Sequence, residues 1–276
     1  MYHRVLEVKK EAGSPERMVW LIRMTHIVDF PPLVFLFSLV TLWLSAEIGD
    51  AIHRRLRPLS ADEQQDFDRV LAATLTLLGL IIGFSFSMVI TRYDLRKNYE
   101  EEEANAIGTE YFRADLLPAA DAAKVHELLR NYLDQRVLFY ETRNAQQLAE
   151  IDARTTKLET ELWSQVQAVA AKQPTPTVAL AVSGMNDVLN SQGYTQAAWW
   201  NRLPIAAWGL LFAIAVFCDL LIGYGARRKG IVLFLILPLA VSTSFLLIAD
   251  IDSPRRGLIE VVPQNLISLS QSLRTP

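Results

Sequence analysis

This sequence has too few cysteine and histidine residues, in the wrong places, for disulfide or metal chemistry. Its 276 residues include one cysteine, Cys218, and no C-x-x-C motif, so no disulfide framework can form within one chain. That thiol lies in an apolar run, where cysteine is most often a small packing residue. No two of the four histidines have the spacing of metal ligands on a helix, so we predict no metal site.

The motifs of common enzymes are also missing. The chain has no glycine-rich phosphate loop, no G-x-S-x-G elbow and no H-E-x-x-H motif. We therefore expect neither an enzyme nor a cofactor. The formal net charge of −3 argues against nucleic acid as a partner, because nucleic-acid binding requires a concentrated basic surface.

Four long hydrophobic runs are the most informative feature that is present. A helix needs about 20 mostly apolar residues to cross roughly 30 Å of hydrocarbon. Four segments come close to that length, and the second contains no charged side chain. They are Phe30–Glu47, Val70–Thr91, Leu203–Tyr224 and Ile231–Ala249. The sequence therefore predicts an all-α protein with four transmembrane helices in a lipid bilayer.

The segments between these runs predict the domain organisation. We expect an N-terminal tail at 1–29, spans one and two within 30–91, a helical extramembrane domain at 92–202, spans three and four within 203–250, and a C-terminal tail at 251–276. An even number of spans places both termini and the helical domain on one side of the membrane. Arginine and lysine flank the spans on both sides, so the cytoplasmic side stays open.

The segment 92–202 has helical patterning throughout. No proline or turn cluster lies between Arg92 and Pro118, so the second span should continue as one helix to that point. Asp121 is the expected N-cap of the next helix. Two later helices carry stripes with steps of three and four, and the second stripe has a short heptad pattern. The stripes are Val125, Leu128, Leu129, Tyr132, Leu133, Arg136, Phe139 and Tyr140, then Leu148, Ile151, Thr155, Leu158, Leu162, Gln165 and Val169.

The second span carries a stripe of small and hydroxyl side chains and, next to it, a bulky stripe of Leu80, Phe84 and Met88. Gly79 and Gly83 form a G-x-x-x-G motif, which allows close packing against a neighbouring span. The same stripe fits a helix that lines a water-filled pore, where Phe84 and Met88 would form a hydrophobic gate in a ring of subunits. Both interpretations stay open. The pore-lining or gate candidates are Thr76, Gly79, Gly83, Phe84, Ser87, Met88 and Thr91.

Ionisable residues cluster at the ends of the spans. Acids and bases that leave the second and fourth spans at the same depth predict an ion-pair lattice that locks two helix ends together. Its members are Arg92, Asp94, Asp250, Asp252, Arg255 and Arg256. Asp219 lies about one turn inside the third span, so we expect it to pair with Arg69 or Arg227.

The densest charge block is a run of four glutamates in the helix that continues the second span. One interpretation is a solvated helix face beside Arg96 and Lys97. The other is an acidic ring, formed in an oligomer, that concentrates cations. The residues are Glu100, Glu101, Glu102 and Glu103.

Two segments resemble the bacterial bestrophin-like family (DUF4239). They are GFSFSMVITRYDLRKNYEEEEANAIGTEYFRADLLP at 83–118 and DIDSPRRGLIEV at 250–261, where the family has an Asp-Leu-Asp-x-Pro element followed by Gly-Leu-Ile. Matching positions include Gly83, Phe84, Arg92, Tyr93, Asp94, Glu103, Asn105, Gly108, Thr109, Arg113, Leu117 and Pro118. The resemblance covers almost the whole chain beyond residue 30. It implies a multi-pass protein of the bacterial inner (plasma) membrane.

The family name points to bestrophins, which are pentameric anion channels whose second helix lines the pore and whose helical part is cytosolic. This chain shares the layout of two spans, a helical insert and two spans, but lacks a clear bestrophin Ca²⁺ clasp. The resemblance thus implies a homo-oligomeric ion channel, with anions suggested by the name. The alternative is a non-conducting, membrane-anchored helical scaffold or sensor that binds a protein partner, which the long heptad-bearing domain favours.

Overall fold

Helices make up nearly all of the fold. The structure, a computed structural model, describes residues 28–55, 60–226 and 231–274, and no strand occurs among them. The helices are α1 (Pro31–Arg55), α2 (Ala61–Arg113), α3 (Ala119–Glu141), α4 (Ala145–Lys172), α5 (Pro176–Trp200), α6 (Ile205–Gly225), α7 (Ile231–Asp252) and α8 (Gln264–Ser272). The predicted all-α class is confirmed. Most of the predicted N-terminal tail lies outside the described residues.

The four predicted spans coincide with four helical segments that are long and apolar enough to cross a membrane. These segments are Pro31–Arg55, Asp62–Leu116, Pro176–Gly225 and Phe234–Asp252, with mean hydropathies of 1.7, 2.1, 2.4 and 2.1. A helix satisfies its own backbone hydrogen bonds, so it can enter hydrocarbon without exposing unpaired amides. The chain is therefore a multi-pass membrane protein.

The longest element, α2, is one unbroken helix of 53 residues. It is about 80 Å long at 1.5 Å per residue. As predicted, it continues through Arg92, and it ends at Arg113 before a 3₁₀ turn at Ala114–Leu116.

The N-cap prediction for α3 is wrong. The helix begins at Ala119 after Pro118, which has an extended backbone and makes no side-chain cap. Asp121 lies inside the first turn, where its carboxylate accepts a hydrogen bond from Gln165 Nε2 at 2.8 Å. The proline ring already restricts the backbone at the helix entrance, so the helix starts before the aspartate.

The chain forms two compact units. The first comprises residues up to Met88 together with Leu203–Leu258, and the second comprises Val89–Arg202 together with Ile259–Pro276. The first unit contains α1, the first part of α2, α6 and α7. The second contains the rest of α2, with α3, α4, α5 and α8.

In the first unit, α1 packs against α6 and α7. Two glycines permit a close approach of α1 and α6. A Cβ added at Gly49 would meet the backbone of Leu220, and one added at Gly223 would meet the carbonyl group of Ala46. Small residues favour this packing in lipid, because association there depends on van der Waals contact rather than on exclusion of water.

The second unit has a conventional apolar core. All eight predicted stripe residues of α3 are buried, and Ile151, Thr155, Leu162 and Val169 of the α4 stripe are buried as well. The remaining α4 stripe residues are partly buried. Helix α3 contacts α4 and α8, and α4 contacts α5. The helical periodicity therefore predicted which faces are buried, because apolar side chains at steps of three and four share one face.

Replacing Gly223 with alanine should destabilise the first unit. The added Cβ would overlap the Ala46 carbonyl group, which forces α1 and α6 apart. The thermal unfolding midpoint in detergent should fall by several degrees. Gly209→Ala is the matched control on the same helix, since its Cβ would meet nothing within 4 Å. Equal midpoints for the two variants would contradict the close approach.

Candidate functional site

The seven pore-lining candidates share one face of α2, and that face is exposed. Phe84 is 65% exposed and Met88 is 44% exposed. The opposite face is buried at Leu78, Ser85 and Val89. The exposed set is Thr76, Gly79, Gly83, Phe84, Ser87, Met88 and Thr91. The helix thus divides into a covered side and an uncovered side along its uncharged segment.

Among the four membrane-competent segments, α2 is the least covered. Its most apolar 18-residue window is 17% buried, against 33%, 28% and 50% for the other three. A Cβ added at Gly79 or Gly83 would meet no described atom within 4 Å. Within the described part of one chain, the G-x-x-x-G motif therefore does not pack against another span. The close-packing interpretation of this motif is therefore not supported within one chain.

The four glutamates of the charge block do not behave alike. Glu100 and Glu103 are buried, at 1% and 0% exposure, whereas Glu101 and Glu102 are exposed. The interpretation of the block as a solvated helix face is wrong for Glu100 and Glu103. A helix turns 100° per residue, so a run of four must place some side chains on the core side. The acidic ring predicted from all four residues stays a prediction; within one chain only Glu101 and Glu102 are exposed.

Glu103 is the centre of a buried polar network in the second unit. Arg136 Nε of α3 donates a hydrogen bond to Glu103 Oε1, and both side chains are fully buried. Thr195 Oγ1 of α5 donates to Glu103 Oε2 at 3.0 Å, and the Tyr140 hydroxyl donates to the same oxygen at 3.4 Å. One carboxylate therefore connects α2, α3 and α5.

The electrostatics of this network keep the Arg136 guanidinium charged. Burial opposes the charged form of Arg136, but the adjacent Glu103 carboxylate outweighs it and raises the pKa of the guanidinium. Burial, and then the Glu103 charge, raise the pKa of both Tyr132 and Tyr140 above the ordinary tyrosine value. Arg136 also lies over the Phe139 ring, 4.4 Å from its centroid. The two side chains are removed from solvent, their opposite charges offset the cost of burial, and the Phe139 ring packs against Arg136.

Glu100 is a second buried carboxylate of α2 that accepts hydrogen bonds from another helix. Its Oε1 accepts a hydrogen bond from the Leu266 backbone N–H at 2.9 Å, and Oε2 accepts one from Asn265 Nδ2 at 2.6 Å. These groups lie in the first turn of α8, where helix N–H groups lack intrahelical partners. A carboxylate of α2 thus caps α8 within the second unit.

Glu110 is a buried carboxyl with a different environment. Neither carboxylate oxygen has a hydrogen-bond partner among the described residues, and the side chain faces Gly184 of α5. Burial raises its pKa to about 8, although Arg113 lowers it and Asp187 raises it slightly further. A side chain at position 184 would occupy the space of the carboxylate.

The residues of the predicted ion-pair lattice are split between the units. Asp252 Oδ1 accepts a hydrogen bond from the Leu203 backbone N–H at 2.9 Å, and Asp250 Oδ1 accepts one from Leu258 at 2.7 Å. Arg256 lies over the Phe30 ring, 4.3 Å from its centroid. Arg92, Asp94 and Arg255 are the other members, with Arg92 and Asp94 in the second unit. The lattice stays a prediction.

Asp219 is fully buried in α6, and its oxygens have no hydrogen-bond partner among the described residues. The predicted pairing with Arg69 is not seen, since Arg69 donates to Asp66 Oδ1 at 3.0 Å. Arg227 lies outside the described residues. No group of three or more His, Cys, Asp or Glu side chains in the described part of the chain is arranged to hold a metal ion.

Four membrane-competent helices and a helical unit with a buried polar network define a class of all-helical, multi-pass membrane proteins. The sequence model described as "Bestrophin-like domain" matches residues 35–266. The chain therefore belongs to the bestrophin-like family, as the resemblance predicted.

Solved structures support the same fold. The chain is similar to a bacterial bestrophin homologue from Klebsiella pneumoniae, with 15% identity, a TM-score of 0.57, and coverage of 86% of this chain and 97% of that one. A point variant of that homologue gives 14% identity, a TM-score of 0.61, and coverage of 87% and 97%. At such identities the likeness establishes the fold alone. A comparison with curated proteins finds no match.

Glu103→Gln should destabilise the second unit much more than Glu102→Gln does. Glu103→Gln leaves the Arg136 charge buried without a counter-charge, a loss of about 3–5 kcal/mol in the free energy of unfolding. Glu102→Gln is the matched control, because this exposed side chain should contribute within about 0.5 kcal/mol. Thermal unfolding of both variants measures the difference. Similar midpoints would show that the pair carries no stability.

Because of Glu110, the free energy of unfolding should fall as pH rises. Its pKa is about 8 in the folded protein, against 4.5 for an ordinary glutamate. The folded chain therefore binds this proton more tightly, so the stabilisation is complete below about pH 4.5 and is lost towards pH 8. Glu110→Gln should flatten this part of the pH profile of the unfolding midpoint, whereas Glu101→Gln should leave it unchanged. A parallel profile for Glu110→Gln would contradict the assignment.

Proposed function

We propose that this protein is the subunit of a homo-oligomeric ion channel of the bacterial inner membrane, with the second unit outside the bilayer. In this arrangement the exposed face of α2 points to the shared axis. The observation that carries the proposal is the uncovered, uncharged face of α2, on which small and hydroxyl side chains predominate. Lipid contact requires neither glycines nor hydroxyls, whereas a water-filled path is helped by both.

The chemistry of this face suits a hydrated path that is closed by a narrow apolar section. Thr76 donates its hydroxyl hydrogen to the Ala72 carbonyl oxygen at 2.8 Å, so its oxygen lone pairs are available to water. Phe84 and Met88 project from the same face, and Leu80 lies one turn before Phe84 and is 52% exposed. Repeated around an axis, these three side chains would form a hydrophobic constriction that gates by dewetting.

Family membership supports the same conclusion. Bestrophins, which give the family its name, are the channels that the sequence resemblance points to, with the second helix at the pore. Anions are the ions suggested by that resemblance. A chain whose least covered span is its second one fits such an assembly, because the exposed face would line the shared axis.

Ion flux from reconstituted liposomes tests the proposal. Phe84→Ala should increase flux several-fold, because a smaller side chain widens the constriction and lowers the cost of wetting it. Phe217→Ala is the matched control: it removes the same ring from a membrane-competent helix at 62% exposure, but from α6. Phe217→Ala should conduct like the parent protein. Flux should be measured separately for anions and cations.

The mass of the protein in nanodiscs should correspond to a symmetric ring of copies. A monomeric mass would contradict an axial pore. A ring that gives no flux above empty liposomes, for the parent and for Phe84→Ala, would reject the channel and favour the non-conducting scaffold or sensor that binds a protein partner.

A further inference from the structure

The contact between α3 and α4 contains several buried polar atoms that make no hydrogen bond with any residue the structure describes. They are Tyr132 Oη and Arg136 Nη1 on α3, and Thr155 Oγ1 and Glu159 Oε1 on α4. Tyr132 and Arg136 are 0% exposed and Thr155 is 1% exposed. Gln135 Oε1 on α3 is a fifth such atom. Most buried polar groups in folded proteins are paired, so a concentration of this kind requires an explanation.

Helix geometry brings these side chains together. Tyr132 and Arg136 are one turn apart on α3, and Thr155 and Glu159 are one turn apart on α4, so each pair lies on one face of its helix. The two helices pack against each other. Glu159 experiences the charges of Arg136 and Glu103, and Tyr132 experiences the charges of Arg136 and Glu159. Tyr132, Arg136 and Glu159 are therefore close enough to interact electrostatically. Thr155 joins this cluster because it lies one turn from Glu159 on the same face of α4.

The donors and acceptors of this cluster identify the class of ligand. Arg136 only donates hydrogen bonds, an ionised Glu159 only accepts them, and the two hydroxyl groups can do both. An anion would be repelled by Glu159, and a metal cation would be repelled by Arg136. Water satisfies donors and acceptors together, and a buried water typically makes about three hydrogen bonds to otherwise unpaired groups.

We propose that Tyr132, Arg136, Thr155 and Glu159 form an internal hydration site, in which ordered water bridges α3 and α4 and connects Glu159 to the Glu103–Arg136 pair. A cleft of about 300 Å³ opens between the same helices, and Gln135 and Leu158 are among its lining residues. Solvent therefore reaches the α3–α4 contact at Gln135, the residue before Arg136 in the chain. The site adds α4 to the polar network that already joins α2, α3 and α5.

Removing one hydroxyl tests whether the site is hydrated. Thr155→Val preserves the shape of the side chain and deletes only its hydrogen-bonding capacity. If the hydroxyl binds water, the thermal unfolding midpoint should fall by about 2–4 °C. If it is dry, deleting an unpaired buried hydroxyl should raise the midpoint, and the proposal is overturned. If Thr155→Val does not fold, Thr155→Ser, which keeps the hydroxyl, is compared with Thr155→Ala. A hydrated site gives the serine variant the higher unfolding midpoint. Equal midpoints would show that the site is dry and would overturn the proposal.

Thr156→Val is the matched control on the next residue. Thr156 is exposed and its hydroxyl donates to the Asp152 carbonyl oxygen at 3.0 Å, so its replacement should change the midpoint little. A double-mutant cycle extends the comparison. Tyr132→Phe and Thr155→Val should be non-additive, because both hydroxyls bind the same water, whereas Tyr132→Phe and Thr156→Val should be additive. Additivity in the first pair would overturn the shared site.

A high-resolution experimental density map of the parent protein tests directly whether the site holds water. Ordered water within hydrogen-bonding distance of Tyr132 Oη and Arg136 Nη1 is the expected result. A direct ion pair between Arg136 and Glu159, with no water between them, would overturn the proposal.

Discussion

The buried ion pair between Glu103 and Arg136 is the interaction on which the second unit depends. Both side chains are fully buried, and the carboxylate also accepts hydrogen bonds from Tyr140 and Thr195. A well-packed apolar pair of the same volume would often be as stable, so the pair is not needed simply to fill space. Its value is geometric, since a shift of α2 against α3 or α5 would leave buried charge uncompensated. The pair therefore defines the register of three helices.

The uncharged part of α2 is under a different constraint. Its backbone is satisfied within the helix, so its exposed face can adjoin lipid, water or another copy of the chain without a backbone penalty. This face carries glycines, hydroxyl groups and three bulky apolar side chains. Similarity to the Klebsiella pneumoniae homologue at about 14% identity indicates that this fold tolerates extensive sequence change. The tolerance is physical, because apolar periodicity and a few buried polar contacts can persist while most surface residues vary.

The sequence patterns predicted the helices well, but they predicted poorly which residues those helices contact. The four apolar runs predicted four spans, and the steps of three and four predicted the buried faces of α3 and α4. The N-cap at Asp121 failed because Pro118 offers an earlier start, which depends on competition between neighbouring residues. The solvated-face interpretation failed for Glu100 and Glu103 because a run of identical residues does not indicate which side of a helix meets a neighbour. Arg136 inside an apolar stripe was the one visible signal that a buried counter-charge must exist.

The sequence alone determined that the chain is helical and crosses the membrane several times, because hydrocarbon length and helical period are local properties. The resemblance of its motifs at 83–118 and 250–261 also indicated the bestrophin-like family. Only the tertiary structure decided that Glu103 meets Arg136, that Glu100 caps α8, that Glu110 lies against Gly184, and that the pore-lining candidates occupy an uncovered face. Each of these results depends on residues far apart in the chain. Such contacts follow from how whole helices pack, which no short segment specifies.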